Sequence, residues 1–146
     1  MSVFLDTGVI YAHHDTDASH HEVGVAALTH VLRSPEYGRV MTSEYVYDEV
    51  VTLTQRRTGS VANGVEVGRR IRGDGYPDAI ELLHTSPSLF ENAVGIYETY
   101  TDQELSFTDA VTVAMVEHHD IDAVLSFDDD FDGVIDRLVP ASVTGA

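Results

Sequence analysis

Short apolar runs alternate with segments of helical length along this chain, and that alternation limits what it can fold into. Val3-Phe4-Leu5 comes first and stops at Asp6. Arg39-Val40-Met41-Thr42 is the second run, Ala79-Ile80-Glu81-Leu82-Leu83 the third and Ala123-Val124-Leu125 the fourth, with Leu138-Val139 offering a fifth. Runs this short and this apolar read as buried strands. Between them lie helix signals. A short helix is expected over Val9 to His14. Ser19 stands as N-cap to a helix from His20 to about Leu32, with Val23, Ala26, Ala27 and Val31 as its apolar face. Ser43 caps a helix to about Arg57, striped by Val46, Val50 and Leu53. Another is expected over Val61 to Ile71, after Gly59-Ser60. Asp74-Gly75 and Pro77 read as a turn. Ser86-Pro87 opens a helix to about Tyr100, since proline suits the first helical position. Ser106 starts the last, ending near His118. Strands alternating with helices predict an α/β fold, three layers α/β/α around a mainly parallel sheet of four to five strands.

The 146 residues are enough for one domain, spanning 1–146, with a real core. Without cysteine there is no disulfide framework, thiolate zinc site or thiol nucleophile. The N-terminus lacks the pattern of a secretory leader, and no apolar run is long enough to span a bilayer. The expectation is a cytoplasmic domain with no membrane partner. Charge is the unusual property. The net charge is -17, and all eight basic residues are arginine. Such self-repulsion destabilises a compact fold at low ionic strength. At molar salt the Debye length falls to ~3 Å and most of that penalty disappears. The composition therefore points to a halophilic cytoplasm. In such a protein most carboxylates solvate the surface, so only those in structurally awkward places carry information.

Four carboxylates stand out by position. Asp6 and Asp128 follow the first and fourth apolar runs, and ligands of parallel sheets bind outside the carboxyl ends of their strands. Asp6 could equally cap the following short helix. Glu49 falls three residues after Val46 and four before Leu53, on the apolar stripe, where an ionised carboxylate is costly unless paired or metal-bound. It could also reach solvent at the stripe's edge. The nearby Glu44 and Asp48 lie off the stripe and read as solvated. Asp109 fits a capping box with Ser106, yet it is in register with Val113 and so begins a buried face. Asp128 belongs to SFDDDFDG, where surface charge accounts for at least some of Asp128, Asp129, Asp130 and Asp132.

Three alternatives fail on the residues. An EF-hand loop beginning at Asp128 would put Val139 at its twelfth position, which cannot ligate calcium, and a strand precedes it rather than a helix. A receiver-type phosphoaspartate site needs a late lysine, and the chain has none. A dehalogenase-type site wants a second Asp two residues after the first, but Thr7-Gly8 follow Asp6.

Taken in order, FLDTGVIYA, SEYVYDEVV, LSFTDAVTVAM and AVLSFDDDFDGV resemble the PIN-domain family and, more narrowly, the VapC toxins of toxin–antitoxin systems. The matching positions are Asp6 with Thr7, Glu49, Asp109, and Ser126-x-Asp128-x-Asp130-Phe131, where Ser stands for the family's Thr and keeps the hydroxyl. The resemblance implies a PIN-like fold and endonucleolytic cleavage of RNA. Asp6, Glu49, Asp109 and Asp128 would be catalytic, and Asp6, Asp109 and Asp128 would hold Mg2+ or Mn2+. Thr7, Ser126 and Asp130 would support them. It also implies a cognate antitoxin and a homodimer. The alternatives are a non-toxin PIN nuclease in RNA processing and a catalytically silent binding module of the same fold.

RNA binding normally calls for a basic face. Arg56, Arg57, Arg69, Arg70 and Arg72 lie close together, opposed between Gln55 and Gly73 only by Glu66, a local charge of +4. They are candidates for RNA or partner contact, with surface salt bridging as the alternative. The eight histidines form no zinc motif and read as helix-surface residues, with His14 and His20 the two that could line a cleft.

Overall fold

The structure, a computed structural model, describes residues 1–74 and 79–143. Five strands and six helices alternate: β1 Val3–Leu5, α1 Thr7–His14, α2 His21–Arg33, β2 Val40–Ser43, α3 Glu44–Thr58, α4 Val61–Arg72, β3 Glu81–Leu83, α5 Pro87–Thr99, α6 Phe107–His118, β4 Ala123–Leu125 and β5 Arg137–Leu138. The strands form one sheet in the order β3-β2-β1-β4-β5, every pair parallel, flanked by the helices. The expected α/β fold is therefore present, with five strands. No helix is long and apolar enough to cross a membrane among the described residues.

Burial explains the sheet. Val3, Phe4, Leu5, Val124 and Leu125 have no exposed surface. Truncating a residue such as Leu5 to alanine would cost about 2–5 kcal/mol through lost transfer energy and the cavity left behind. The order also creates a switch point. Beyond β1 the chain moves outward through β2 and β3, then returns to the other side of β1 with β4. The two crossover directions part at the carboxyl ends of β1 and β4, which opens a crevice there. Leu5 pairs with Leu125, so Asp6 and Ser126 emerge side by side.

Several boundaries differ from the sequence expectation. α2 begins one residue late: His20 occupies its N-cap without a side-chain bond, and Ser19 does not cap it. Its buried face is Gly24, Ala27, Leu28 and Val31, while Ala26 is exposed. The rotation follows from a close approach, since a Cβ on Gly24 would come within 2.8 Å of Ala12 Cβ. In α3, Thr54 rather than Leu53 completes the buried set with Val46 and Val50, while Leu53 is half-buried. β3 starts at Glu81, not Ala79, and is an edge strand whose Glu81 pairs with Arg39 at 2.8 Å. β5 is Arg137–Leu138, and Val139 is exposed. Of the expected turn, Gly75 and Pro77 lie outside the described residues. Ser43, Ser60, Ser86 and Ser106 all cap helices through side-chain oxygens accepting backbone N–H groups.

Candidate active site

One pocket of about 450 Å³ opens at the switch point, lined by Asp6, Thr7, Glu49, Asp109, Asp128 and Asp130, together with Gly8, Glu104, Ser106 and Phe127. β1 delivers Asp6, α3 Glu49, the first turn of α6 Asp109, and the loop after β4 Asp128 and Asp130. Residues far apart in sequence thus meet because parallel strands point their carboxyl ends the same way.

Asp6 is the most constrained. It is 6 % exposed, sits at the N-cap of α1, and makes no capping bond with its side chain. The helix-cap alternative therefore fails, and the carboxylate is left to the pocket. Burial pushes its carboxyl up to about 7. The Ser126 hydroxyl pulls the other way, while Asp109 and Glu49 push it further up. Ser126 Oγ donates to Asp6 Oδ2 at 2.6 Å and accepts from Asp128 N at 2.9 Å. One buried hydroxyl thus ties two of the site's segments together.

Asp109 serves both of its proposed uses. Its Oδ2 accepts from Ser106 N at 3.0 Å and its own N–H bonds Ser106 Oγ at 3.1 Å, a complete capping box. Yet it lines the pocket, and burial pushes its carboxyl up to about 6, with Asp128 and Glu49 adding to the rise. Glu49 is half-buried at the stripe's edge. Asp128 is half-buried, and its Oδ1 accepts from Asp130 N at 2.9 Å. Asp130 is held above the ordinary range chiefly by the Asp128 charge. Carboxylates that repel one another in this way favour a cation between them.

The remaining acidic groups differ in their partners. Carboxylate oxygens of Asp128, Asp129 and Asp130 lie within 4.8 Å of one another, a grouping able to hold an ion at the pocket's outer edge, although Asp129 is exposed. Asp132 instead pairs with Arg137, Nε to Oδ1 at 2.8 Å and Nη2 to Oδ2 at 3.0 Å. Glu44 is not simply solvated, because Thr85 N donates to it at 2.7 Å and Thr85 Oγ1 bonds it as well. That anchors the start of α3 to the β3–α5 loop. Sequence reasoning missed Glu104. It lines the pocket with a left-handed backbone, φ 56°, a conformation that costs a non-glycine residue on the order of 1 kcal/mol or more. Nothing in QELSF distinguishes it from the other surface acids.

None of the five clustered arginines lines this pocket among the described residues. Arg69 and Arg72 each lie 3.7 Å from Asp74, and Arg70 lies 3.5 Å from Glu66. Arg57 sits over the Tyr11 ring, 5.8 Å from its centroid. Arg57 and Arg70 line a separate cleft with His14, Asp15 and Asn63. His13 and His14 are half-buried rather than surface residues, and burial lowers both their pKa values.

A family model, the PIN domain, matches residues 3–136. The chain belongs to the PIN-domain family. Among solved structures, Mycobacterium tuberculosis VapC20, a sarcin–ricin loop cleaving toxin, superposes with a TM-score of 0.78 at 24 % identity, covering 91 % of this chain and 96 % of that one. Rickettsia felis VapBC2, bound to a promoter DNA fragment, gives 0.67 at 9 % identity over 94 % and 98 %. A toxin–antitoxin complex from Klebsiella pneumoniae gives 0.65 at 16 % over 94 % and 97 %. At these identities the likeness concerns the fold. No curated protein matches the sequence.

Proposed function

We propose that this PIN domain is a divalent-metal-dependent endoribonuclease and the toxin of a VapBC-type pair. The observation that carries the proposal is the convergence of Asp6, Glu49, Asp109 and Asp128 on one pocket, two of them pushed far above the usual carboxylate range. The donor set fits a hard cation. It is all oxygen, which suits Mg2+ or Mn2+ rather than zinc. Thr7 adds a hydroxyl that is buried and has no hydrogen-bond partner among the described residues. Asp6, Asp109 and Asp128 would hold the ion, with Glu49 as a further ligand or as the base that orients water. When bound, such an ion polarises a phosphoryl oxygen and makes its water more acidic.

The chain's own residues do the positioning. Ser126 holds Asp6 and the Asp128 backbone in fixed relation, and Ser106 holds Asp109 at the helix start. Asp130 fixes the Asp128 carboxylate through its backbone N–H. Resemblance to VapC toxins, one of which cleaves the sarcin–ricin loop, favours RNA as substrate. Neighbours solved as toxin–antitoxin complexes favour an antitoxin partner. The homodimer, the cytoplasmic setting, the halophilic origin and an RNA or partner contact by Arg56, Arg57, Arg69, Arg70 and Arg72 belong to the same proposal.

The test is an RNA cleavage assay at molar KCl with Mg2+, Mn2+ or chelator. Wild type should cleave only with a divalent ion. Asp6→Asn and Asp128→Asn should each lose more than about 100-fold, since even outer partners of a metal site cost up to that much. Folded variants that cleave at the wild-type rate would sink the assignment. A small antitoxin reading frame beside the gene separates the toxin from an RNA-processing enzyme.

A further inference from the structure

Phe127 is the one aromatic side chain lining the acidic pocket among the described residues. Its neighbours hold it in place: Ser126 bonds Asp6, and Asp128 lines the same pocket. His20, from the turn before α2, stacks on it with ring centroids 4.7 Å apart and planes inclined by 20°. Phe127 is half-buried and His20 is exposed. The stack therefore presents an imidazole surface to solvent beside the carboxylates.

Electrostatics make this pair more than a packing detail. The walls of the pocket carry Asp6, Glu49, Glu104, Asp109, Asp128 and Asp130, no arginine lines it among the described residues, and the chain bears a net charge of -17. A phosphate backbone approaching such a site gains little from counterion release, and that gain shrinks as salt rises. Stacking of a base on an aromatic ring carries no such dependence and tolerates any base, because each has a π-face.

We infer that His20 and Phe127 form a stacking subsite for one nucleobase of a single-stranded RNA, placing its backbone against the carboxylates. The inference rests on the nuclease proposal for its substrate and deepens it. His20 is a binding residue here, while Phe127 fixes the plane of the platform.

The experiment compares wild type, His20→Ala and His20→Phe in steady-state cleavage of a short single-stranded RNA with Mg2+ or Mn2+. His20→Ala should raise KM roughly tenfold, as loss of one base stack does, with kcat held within about twofold. His20→Phe should restore KM, and the salt dependence of binding should keep its slope in all three. In parallel, the non-cleaving Asp6→Asn protein is titrated with the same RNA carrying 2-aminopurine at each position in turn. At one position fluorescence should be quenched on binding, and the quench should vanish when His20→Ala is added. A KM unchanged by His20→Ala, with the quench intact, overturns the subsite. So does a lowered Tm with unchanged KM, which would assign the stack to pinning the turn before α2. Wild type that cleaves no RNA would count against the nuclease proposal instead, and the fluorescence titration would then decide the subsite alone.

Discussion

Asp6 is 6 % exposed with its carboxyl pushed up to about 7, whereas Asp132, on the loop after β4, is exposed and held below its ordinary value by the Arg137 side chain. Both are aspartates near strand ends in a chain crowded with acids. Asp132 has a cation beside it and water around it, so its charge is stabilised. Asp6 has a hydroxyl, a backbone amide and the charges of Asp109 and Glu49. Folding has placed a charge where it is unfavourable, and either a proton or a further partner relieves that cost. A stabilised carboxylate belongs to the surface, while a destabilised one in a crevice is a candidate for a working site.

The sharpest break of that comparison is by substitution. Asp6→Asn should abolish RNA cleavage by more than about 100-fold while raising the metal-free protein's stability at pH 7.5 by about 1–2 kcal/mol. Asp132→Asn should leave the cleavage rate unchanged and should not raise the metal-free protein's stability. Activity assays with chemical denaturation check both. If the two variants behave alike, burial is not what separates these residues.

The next effect is in pH. A carboxyl raised in the folded state gives stability that is present below its unfolded pKa and lost as pH rises through its folded one. From the values for Asp6 and Asp109, metal-free protein should lose Tm between about pH 4 and 7. Asp6→Asn should flatten that slope, which separates it from general self-repulsion of surface acids. Mg2+ or Mn2+ needs the ionised carboxylates, so the Tm it adds should be larger at pH 7.5 than at pH 5. Equal gains at both would place the ion away from these groups.

A smaller effect tests the hydroxyl between the segments. Ser126→Ala removes the bond that favours ionised Asp6 and should lower metal affinity or activity about tenfold. Ser126→Thr keeps the hydroxyl and should keep both, as titration calorimetry would show. Smallest is the arginine arm. Replacing Arg69, Arg70 and Arg72 together with Gln should weaken RNA binding and flatten its salt dependence. Stability should change little, because exposed ion pairs are worth less than about 1 kcal/mol each. Unaltered binding would leave their contacts within the chain, with Asp74, Glu66 and Tyr47, as the better account of them.

Much of the fold was legible because apolar runs and cap residues are local signals. Ser43, Ser60, Ser86 and Ser106 announce four helix starts, each through a bond spanning three residues. Ser19 misled because the residue after it also fits a helix start, and the backbone bond from His21 N to Ala18 O decided the entry. The inward face of α2 was legible only in part: Ala27 and Val31 are buried as expected, whereas burial of Gly24 depends on its meeting Ala12 across two helices. In the site, Asp6, Glu49, Asp109 and Asp128 were legible by placement on elements. Glu104 was not, and His20 was singled out without its stack on Phe127, because the α5–α6, α1–α2 and post-β4 loops carry no periodic pattern to locate them.

The sequence by itself determined the alternation of elements, the acidic charge and which carboxylates sit at strand ends and helix starts. These follow from spacing and residue type within a few turns of chain. Tertiary structure decided that the ends of β1 and β4 lie side by side, that Asp6 is buried without a side-chain capping bond, and that Arg137 takes Asp132 while no basic residue among those described takes Asp6. Those outcomes depend on strand order and on which distant side chains share one low-dielectric crevice, and neither is written into any single segment.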